Sequence, residues 1–381
     1  MILPRLSASL LVLSLALSLA MDSLAAQTAD EAAALAAQGD LYHAGEGVPR
    51  NFASAAGFYE QAAKAGNAHA QNQLGRYYYE GLGVAQDRAQ ALRWLRAAAD
   101  QGAPQHLFDL AVALEESGTP DDLAAAAKAY ASAAELGLAE AAVSLGLLYQ
   151  DGRGVEQDYG RARDLYTGPA QAGHARAQNN LGLLYVRGNG VAQDYELASQ
   201  LFAAAAEQGL TQAMTNLGVM YENGFGVEQD DARAAQLYRM AGQQGAANQP
   251  GGLIYDTRLK PVAPEPAAIE AQASAGDPLA QFQLAWILAT DPNADHAAVA
   301  RAAQLFRAAA QSGYPPAMAN LGLMYFEGRG VYQDYVLSLK WITLASAAGL
   351  PDGAALSARV MPYLTPGQVN EAQSMAENFN P

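Results

Sequence analysis

A repeat of 36 residues constrains this sequence more than any other feature. The stretch LGLLYVRGNGVAQDYELA begins at Leu181, and near copies begin 36 residues before it at Leu145 and 36 residues after it at Leu217. Two further clean copies begin at Leu74 and Leu321. A fixed period of this length is typical of a solenoid, in which each unit packs only against its neighbours.

Each copy predicts two helices joined by a short turn. In the copy at Leu181, apolar residues recur at helical spacing, and Gly182 leaves room for a second helix to approach closely. Gly188 stands where a helix end needs a left-handed residue, and Gly190 allows a second bend. Asp194 is then predicted to cap the next helix by accepting its free amide protons. The equivalent capping residues in the other clean copies are Asp87, Asp158, Asp230 and Asp334.

The pattern LG-x-x-Y-x-x-G-x-G-V-x-x-D-x-x-x-A, followed by AA-x-x-G, resembles the Sel-1-like repeat family, which is related to tetratricopeptide repeats. The resemblance implies an all-α fold, an α/α solenoid in which antiparallel helix pairs form a right-handed superhelix with the first helices on its concave side. It also implies a role in holding other proteins together, without implying a substrate.

The repeat pattern divides the chain into segments. An array of about six repeats is predicted over 27–245, with a turn-less third copy. The stretch 246–266 contains four prolines and is predicted to be a degenerate repeat or a hinge, because proline removes backbone donors. A second repeat segment follows over 267–381, and its last helix pair carries Asn and Gln on a face expected to be the outer face of a cap.

The start of the chain predicts export. Residues 1–25 combine Arg5, a short apolar run and the small residues Ser23-Leu24-Ala25, which together are typical of a cleavable signal peptide. The apolar run is shorter than the roughly 20 residues that a spanning helix needs, so no transmembrane span is predicted after cleavage. We therefore expect a periplasmic or secreted protein.

Composition excludes several classes of function. The net charge is −16, with no cluster of Lys and Arg, which argues against nucleic-acid binding. The chain has no cysteine, so disulfides, thiolate chemistry and cysteine-bound zinc are excluded. Its five histidines show no metal-ligand spacing. We predict no metal and no cofactor.

No catalytic constellation stands out either. The Gly-x-Gly turns follow helices and lack the Gly-Lys-Ser/Thr of a phosphate loop, and neither Ser-x-x-Lys nor Gly-x-Ser-x-Gly occurs. Some cysteine-rich secreted members of the resembled family are associated with penicillin binding or β-lactam hydrolysis, but this chain departs from them in having no cysteine. The sequence predicts no enzyme, and a β-lactam or cell-wall hydrolase is the less favoured alternative.

The predicted binding surface is a second face of each first helix, which we call the groove stripe. It takes the positions two before, two after, five after and six after the motif Leu, and these vary in chemistry between copies. Its predicted binding residues are Asn72, Arg76, Tyr79, Glu80, Leu147, Gln150, Asp151, Asn179, Leu183, Val186, Arg187, Val219, Glu222, Asn223, Leu323, Phe326 and Glu327. Either this stripe binds a peptide, or its apolar members pack against the adjacent repeat while the polar members are solvated.

These patterns predict a non-enzymatic scaffold in the bacterial cell envelope that binds a protein or peptide partner. The alternative is a protein that binds the cell wall or an exopolysaccharide-assembly complex. Asn180, Asn216 and Asn320 precede the motif Leu, and we expect them to bond between repeats rather than to a ligand.

Overall fold

The computed structural model describes residues 28–247, 252–256, 266–291 and 293–379, and over these ranges the chain is helical with no strand. The all-α prediction is confirmed. The predicted signal peptide, residues 1–25, lies outside the described residues, as does most of the predicted hinge at 246–266. Among the described helices, none combines the length and the apolar character that crossing a membrane requires.

Most of the described helices follow one another as packed antiparallel pairs. The first helices are α1 (28–44), α3 (Ala68–Glu80), α5 (Pro104–Glu115), α7 (Ala139–Asp151), α9 (Ala175–Arg187), α11 (Thr211–Asn223), α14 (Pro278–Thr290), α16 (Pro315–Glu327) and α18 (Gly353–Val360). The second helices are α2 (Phe52–Lys64), α4 (Arg88–Ala99), α6 (Pro120–Glu135), α8 (Tyr159–Gln171), α10 (Tyr195–Glu207), α12 (Asp231–Ala247), α13 (Pro266–Ser274), α15 (His296–Gln311), α17 (Tyr335–Ala347) and α19 (Pro366–Glu377). A 3-10 turn, Met361–Tyr363, separates α18 from α19.

The pair α9/α10 shows how the motif letters build one repeat. Leu181 and Leu184 are buried, and Gly188 ends α9 in the left-handed conformation at φ +68°. The carboxylate of Asp194 accepts the backbone N–H of Leu197 at 2.9 Å and caps α10. The same cap occurs at Asp87, Asp158, Asp230 and Asp334. The predicted roles of these residues are confirmed.

Two motif glycines are required by close packing. A Cβ at Gly182 would lie 2.8 Å from the ring of Phe202, so this glycine lets α10 pack against α9. A Cβ at Gly190 would lie 2.6 Å from the carbonyl carbon of Tyr159, at the start of the preceding repeat's second helix. Gly190 therefore does more than allow a bend, because it brings two successive repeats into backbone contact.

The chain forms two compact units. Unit 1 comprises 1–91 with 251–381, and unit 2 comprises 92–250. Inside unit 2, aromatic rings from second helices, such as Tyr166 and Phe202, fill cores between first helices. The domain boundaries that the sequence predicts at 246–266 stay a prediction.

Within unit 1, α19 lies against the first two repeats. The side-chain oxygen of Gln373 accepts the backbone N–H of Phe52 at 2.8 Å, and that of Asn370 accepts the backbone N–H of Gly83 at 2.9 Å. The side chain of Asn51 donates to Glu377. The sequence placed this Asn and Gln face outward, but in the structure Gln373 is 1% exposed. The reason is that the first N–H groups of α2 have no partner within their own helix, and α19 supplies one.

Candidate functional site

In unit 2 the groove stripe is partly open to solvent. Asp151, Arg187, Val219, Glu222 and Asn223 are exposed, whereas Leu147, Gln150, Leu183 and Val186 are half-buried. Leu183 and Val186 pack against the core around Phe202 and Leu217. The stripe of unit 2 thus presents one exposed apolar residue, Val219 at 40% exposure, among charged and amide groups.

Asparagines link neighbouring repeats in unit 2. Asn216 of α11 donates to the side-chain oxygen of Asn179 of α9 at 2.8 Å, and Asn179 donates to Asn180 at 3.2 Å. Asn179 is 6% exposed, so its amide serves this network. The expectation of a bond between repeats is met for Asn216, whereas the bond from Asn179 to Asn180 lies within α9.

Tyrosine hydroxyls from second helices point to polar groups of the first helices. Tyr130 donates to Glu115 at 2.8 Å, and Tyr238 donates to Glu222 at 2.8 Å. Burial, followed by the hydrogen bond to Glu115, raises the pKa of Tyr130 far above its ordinary value. The hydroxyl of Tyr130 therefore stays protonated and acts as a hydrogen-bond donor rather than as a base.

In unit 1 the stripe on α3 is mostly polar. Arg76 and Glu80 are exposed and lie 3.7 Å apart as an i, i+4 ion pair, which contributes little at a solvated surface. Tyr79 is half-buried, and Asn72 is only 4% exposed.

The stripe on α16, also in unit 1, is largely covered by the end of the chain. Leu323 is 1% exposed. The ring of Phe326 lies 5.3 Å from that of Tyr363, and the guanidinium of Arg359 lies 4.7 Å from the Phe326 ring. Arg359 also approaches the exposed Glu327 at 3.9 Å. At these positions the apolar members of the stripe pack against the following helices of unit 1.

The structure adds a site on α14 and α16 that the sequence did not single out. Residues 252–256 run without helical structure along this part of unit 1. Phe282 and Trp286 stand two before and two after Leu284, so they occupy stripe positions in a turn-less copy. The ring of Tyr255 lies 5.0 Å from Trp286 and 6.1 Å from Phe282.

Asn320 holds this segment rather than a neighbouring repeat helix. Its carboxamide oxygen accepts the backbone N–H of Ile254 at 2.6 Å, and its amide donates to the backbone oxygen of Ile254 at 2.8 Å. The expectation that Asn320 bonds between repeats is therefore wrong. The physical reason is that the non-helical backbone at Ile254 carries a free donor and a free acceptor, and a carboxamide satisfies both.

Sequence reasoning also missed a recurring glutamine that stiffens the stripe. Its side-chain amide donates to the backbone oxygen seven residues earlier, at the C-terminal end of the stripe. The five pairs are Gln86 with Tyr79, Gln157 with Gln150, Gln193 with Val186, Gln229 with Glu222, and Gln333 with Phe326. Its presence before the capping Asp in every clean copy was the available signal.

Within the described ranges, no cluster of three or more His, Asp or Glu side chains could hold a metal ion. His69 contacts Asp40 at 2.8 Å, and the ring nitrogen of His174 accepts the backbone N–H of Ala177 at the start of α9. Both histidines thus have structural partners.

Comparison with family models matches the Sel1 repeat over 31–67, 68–102, 139–167, 175–210, 211–245 and 315–350, which together span more than half of the chain. These segments include the five clean copies and the worn first copy, and omit the turn-less copies at Leu110 and Leu284. No curated protein matches the chain.

Among solved structures, the chain is similar to a protective antigen present in uropathogenic Escherichia coli strains, whose crystal structure displays an SLR fold. The two are 29% identical, with 91% of this chain and 84% of that chain covered and a TM-score of 0.51. A Sel1 repeat protein from Oxalobacter formigenes is 27% identical over 88% of each chain, with a TM-score of 0.44.

Proposed function

The chain belongs to the Sel1 repeat family, and from that premise we propose that it is an exported, non-enzymatic scaffold that binds a protein partner through the groove stripe of unit 2. Sel1 repeat proteins are generally protein–protein interaction scaffolds. One observation carries the proposal. Packing and capping account for the repeated motif letters, while the stripe between them exposes Val219, Arg187 and Glu222 to solvent.

The stripe of unit 2 suits a peptide with both apolar and charged groups. Val219 offers an apolar contact at 40% exposure, and Arg187 and Glu222 of the same stripe are exposed and carry opposite charges. Exposed charges around an apolar contact favour specificity and rapid association more than affinity. A helical or extended segment of a partner protein can bind to this surface through a few anchoring side chains.

Export to the cell envelope is part of the proposal. It is supported by the sequence of residues 1–25, with its charged start, apolar run and small residues before the array. Fractionation of cells that express the full chain tests this part, and recovery of the protein in the cytoplasm at full length would contradict it.

Partner binding is tested by cross-linking and affinity capture from envelope fractions. We expect Val219→Asp to abolish capture of a specific partner, because it places a charge at the exposed apolar contact. Leu136→Asp is the matched control, since Leu136 is also an exposed apolar residue of unit 2, at 55%, but lies in the turn after α6. Equal capture by both variants, or capture of no specific partner by the wild type, would overturn the proposal.

The non-enzymatic part has its own test. Purified protein is expected to show no turnover of nitrocefin above a heat-inactivated control. Sedimentation with purified cell wall separates the wall-binding alternative, because a scaffold for proteins stays in the supernatant. Turnover or co-sedimentation would contradict the function proposed here.

A further inference from the structure

Unit 1 contains a non-helical stretch of its own chain bound as a peptide ligand would be. Both backbone groups of Ile254 are hydrogen-bonded by the single side chain of Asn320, at 2.6 and 2.8 Å. Two bonds to one residue are what a neighbouring strand makes in a hydrogen-bonded pair. This contact recognises backbone and is independent of the side chain at that position.

The next two residues are recognised by their side chains. Tyr255 packs against Trp286 and Phe282 of α14, and the hydroxyl of Tyr314 donates to the carboxylate of Asp256 at 2.7 Å. Asp256 is 7% exposed, so its carboxylate needs hydrogen-bond donors from the protein, and Tyr314 supplies one. The protein thus contacts the backbone of Ile254, the aromatic ring of Tyr255 and the carboxylate of Asp256 in succession.

The bound segment also borders an open cleft. Beside Ile254, Tyr255 and Asp256 a cleft of about 370 Å³ runs between the start of α16 and the loop before α18, lined by Pro316 and Leu350. Such a volume is within the range of small ligand-binding clefts. One side of residues 254–256 therefore faces open space rather than packed side chains.

The same motif position behaves differently where no such segment lies. In unit 2, Asn180 and Asn216, which also precede a motif Leu, belong to a network of asparagines. Asn320 is completely buried by its contact with residues 252–256 and its surroundings. The contrast shows that this position can bond either to other asparagines or to a peptide backbone.

We propose that the groove formed by Phe282, Trp286, Tyr314 and Asn320 binds an extended peptide in which an aromatic residue is followed by an acidic one, and that residues 254–256 occupy it in cis until a partner's segment displaces them. This inference rests on the proposed scaffold function and assigns a second peptide site to it, in unit 1. A cis occupant reduces the apparent affinity for a partner in proportion to the fraction of open groove. Because a tethered segment has an effective concentration on the order of millimolar, weak intrinsic binding is enough to hold it.

The test uses a fluorescent peptide with the sequence of residues 252–256, Gly-Leu-Ile-Tyr-Asp, titrated into the full-length protein up to millimolar concentration. We expect the variant Tyr255→Ala/Asp256→Ala to bind this probe at least tenfold more tightly than the wild type, since its own segment keeps only the backbone contact of Ile254 and competes less. Circular dichroism and thermal unfolding establish that the variant is folded. Equal affinity of the two proteins overturns cis occupancy, and no binding to the folded variant overturns the site.

Specificity is tested in the background of the Tyr255→Ala/Asp256→Ala variant. Tyr314→Phe removes only the hydroxyl and should weaken binding of the probe about tenfold, as expected for a hydrogen bond to a charged group. It should leave binding of Gly-Leu-Ile-Tyr-Ala unchanged, and an equal loss for both peptides contradicts recognition of the acidic group by Tyr314.

Asn320→Leu in the same background should abolish binding, whereas Asn180→Leu, at the same motif position in unit 2, should not. If both substitutions leave binding intact, the groove assignment is wrong. Absence of probe binding to the folded Tyr255→Ala/Asp256→Ala variant, with partner capture through Val219 intact, would contradict this inference alone. Probe binding without partner capture would contradict only the proposed function of unit 2.

Discussion

Alanine substitutions at two glycines of one turn measure how much the close packing of successive repeats constrains this turn. Gly188 and Gly190 have nearly the same backbone conformation, φ +68° and φ +69°. A Cβ at Gly188 would meet Gln193 at 3.5 Å, which is an ordinary contact. A Cβ at Gly190 would lie 2.6 Å from the carbonyl carbon and 2.7 Å from the oxygen of Tyr159. The pair differs in surroundings and not in backbone strain.

The expected losses follow from this difference. Placing alanine in the left-handed region costs roughly 1–2 kcal/mol, and part of that is offset because alanine reduces the entropy of the unfolded chain. Gly188→Ala should therefore lower the free energy of unfolding by about 1 kcal/mol. Gly190→Ala adds a backbone collision of the kind that costs about 1–3 kcal/mol when cores are overpacked. We expect a total loss of about 2–4 kcal/mol for Gly190→Ala.

Urea unfolding followed by circular dichroism measures the loss, and hydrogen exchange at the start of α8 locates it. Local exchange is needed because the stability of a repeat protein is a sum over repeats and their interfaces. Gly173→Ala is a second control, since Gly173 has φ +91° with nothing within 4 Å of its Cβ position. If all three variants lose the same stability and exchange at α8 is unchanged, the close approach of Gly190 to Tyr159 does not explain this glycine.

Three further predictions concern capping, pH and the end of the chain. Asp194→Ala should lower the free energy of unfolding by about 1 kcal/mol and Asp194→Asn by much less, as measured by urea unfolding, because only alanine removes the cap acceptor. Burial, and to a lesser extent the positive charge of Arg50, lowers the pKa of His43 below 6.5 in the folded protein. As the pH falls, His43 is therefore protonated in the unfolded chain before it is protonated in the folded one. The stability that His43 contributes is present above pH 6.5 and is lost as the pH falls through its folded-state pKa. In His43→Gln the midpoint temperature of thermal unfolding should fall less as the pH is lowered below 6.5. Gln373→Ala leaves the backbone N–H of Phe52 without its acceptor and should cost about 1–3 kcal/mol by thermal unfolding, whereas Asn378→Ala, at the exposed end of α19, should cost little.

Local, repeated features of the fold were predictable from the sequence. Gly188 ends a helix and Asp194 starts the next one through contacts that span a few residues, and each recurs in the other clean copies. When a residue recurs in every copy and its contacts are local, its structural role can be predicted without knowing the rest of the chain. The pair α9/α10 therefore follows from the letters of its own repeat.

Contacts between distant residues were not predictable in the same way. Gln373 accepts from Phe52 across 321 positions of sequence, and no period relates the two residues. The contact of Asn320 with Ile254 spans 66 positions and involves a segment that breaks the repeat. Both polar side chains were assigned to solvent or to neighbouring repeats, because the repeat pattern describes only adjacent units.

The candidate site on α14 was partly predictable from the sequence. Applying the stripe register to the turn-less copy at Leu284 selects Phe282 and Trp286, which the structure places against Tyr255. The aromatic residue that fills this site could not be selected, since it lies outside the periodic pattern. The binding residues predicted on the other stripes stay predictions.

The contact of α19 with the first two repeats has a consequence for synthesis on the ribosome. The backbone N–H of Gly83 is bonded by Asn370, which is 287 positions later in the chain. At roughly 5–20 residues per second, the acceptor is made about 15–60 s after the donor. Throughout that interval the nascent chain displays the uncovered starts of α2 and of the turn at Gly83, while the helix pairs of unit 2 can complete their local contacts as they emerge. Translation order therefore makes unit 1 mature after unit 2, although part of unit 1 is made before unit 2.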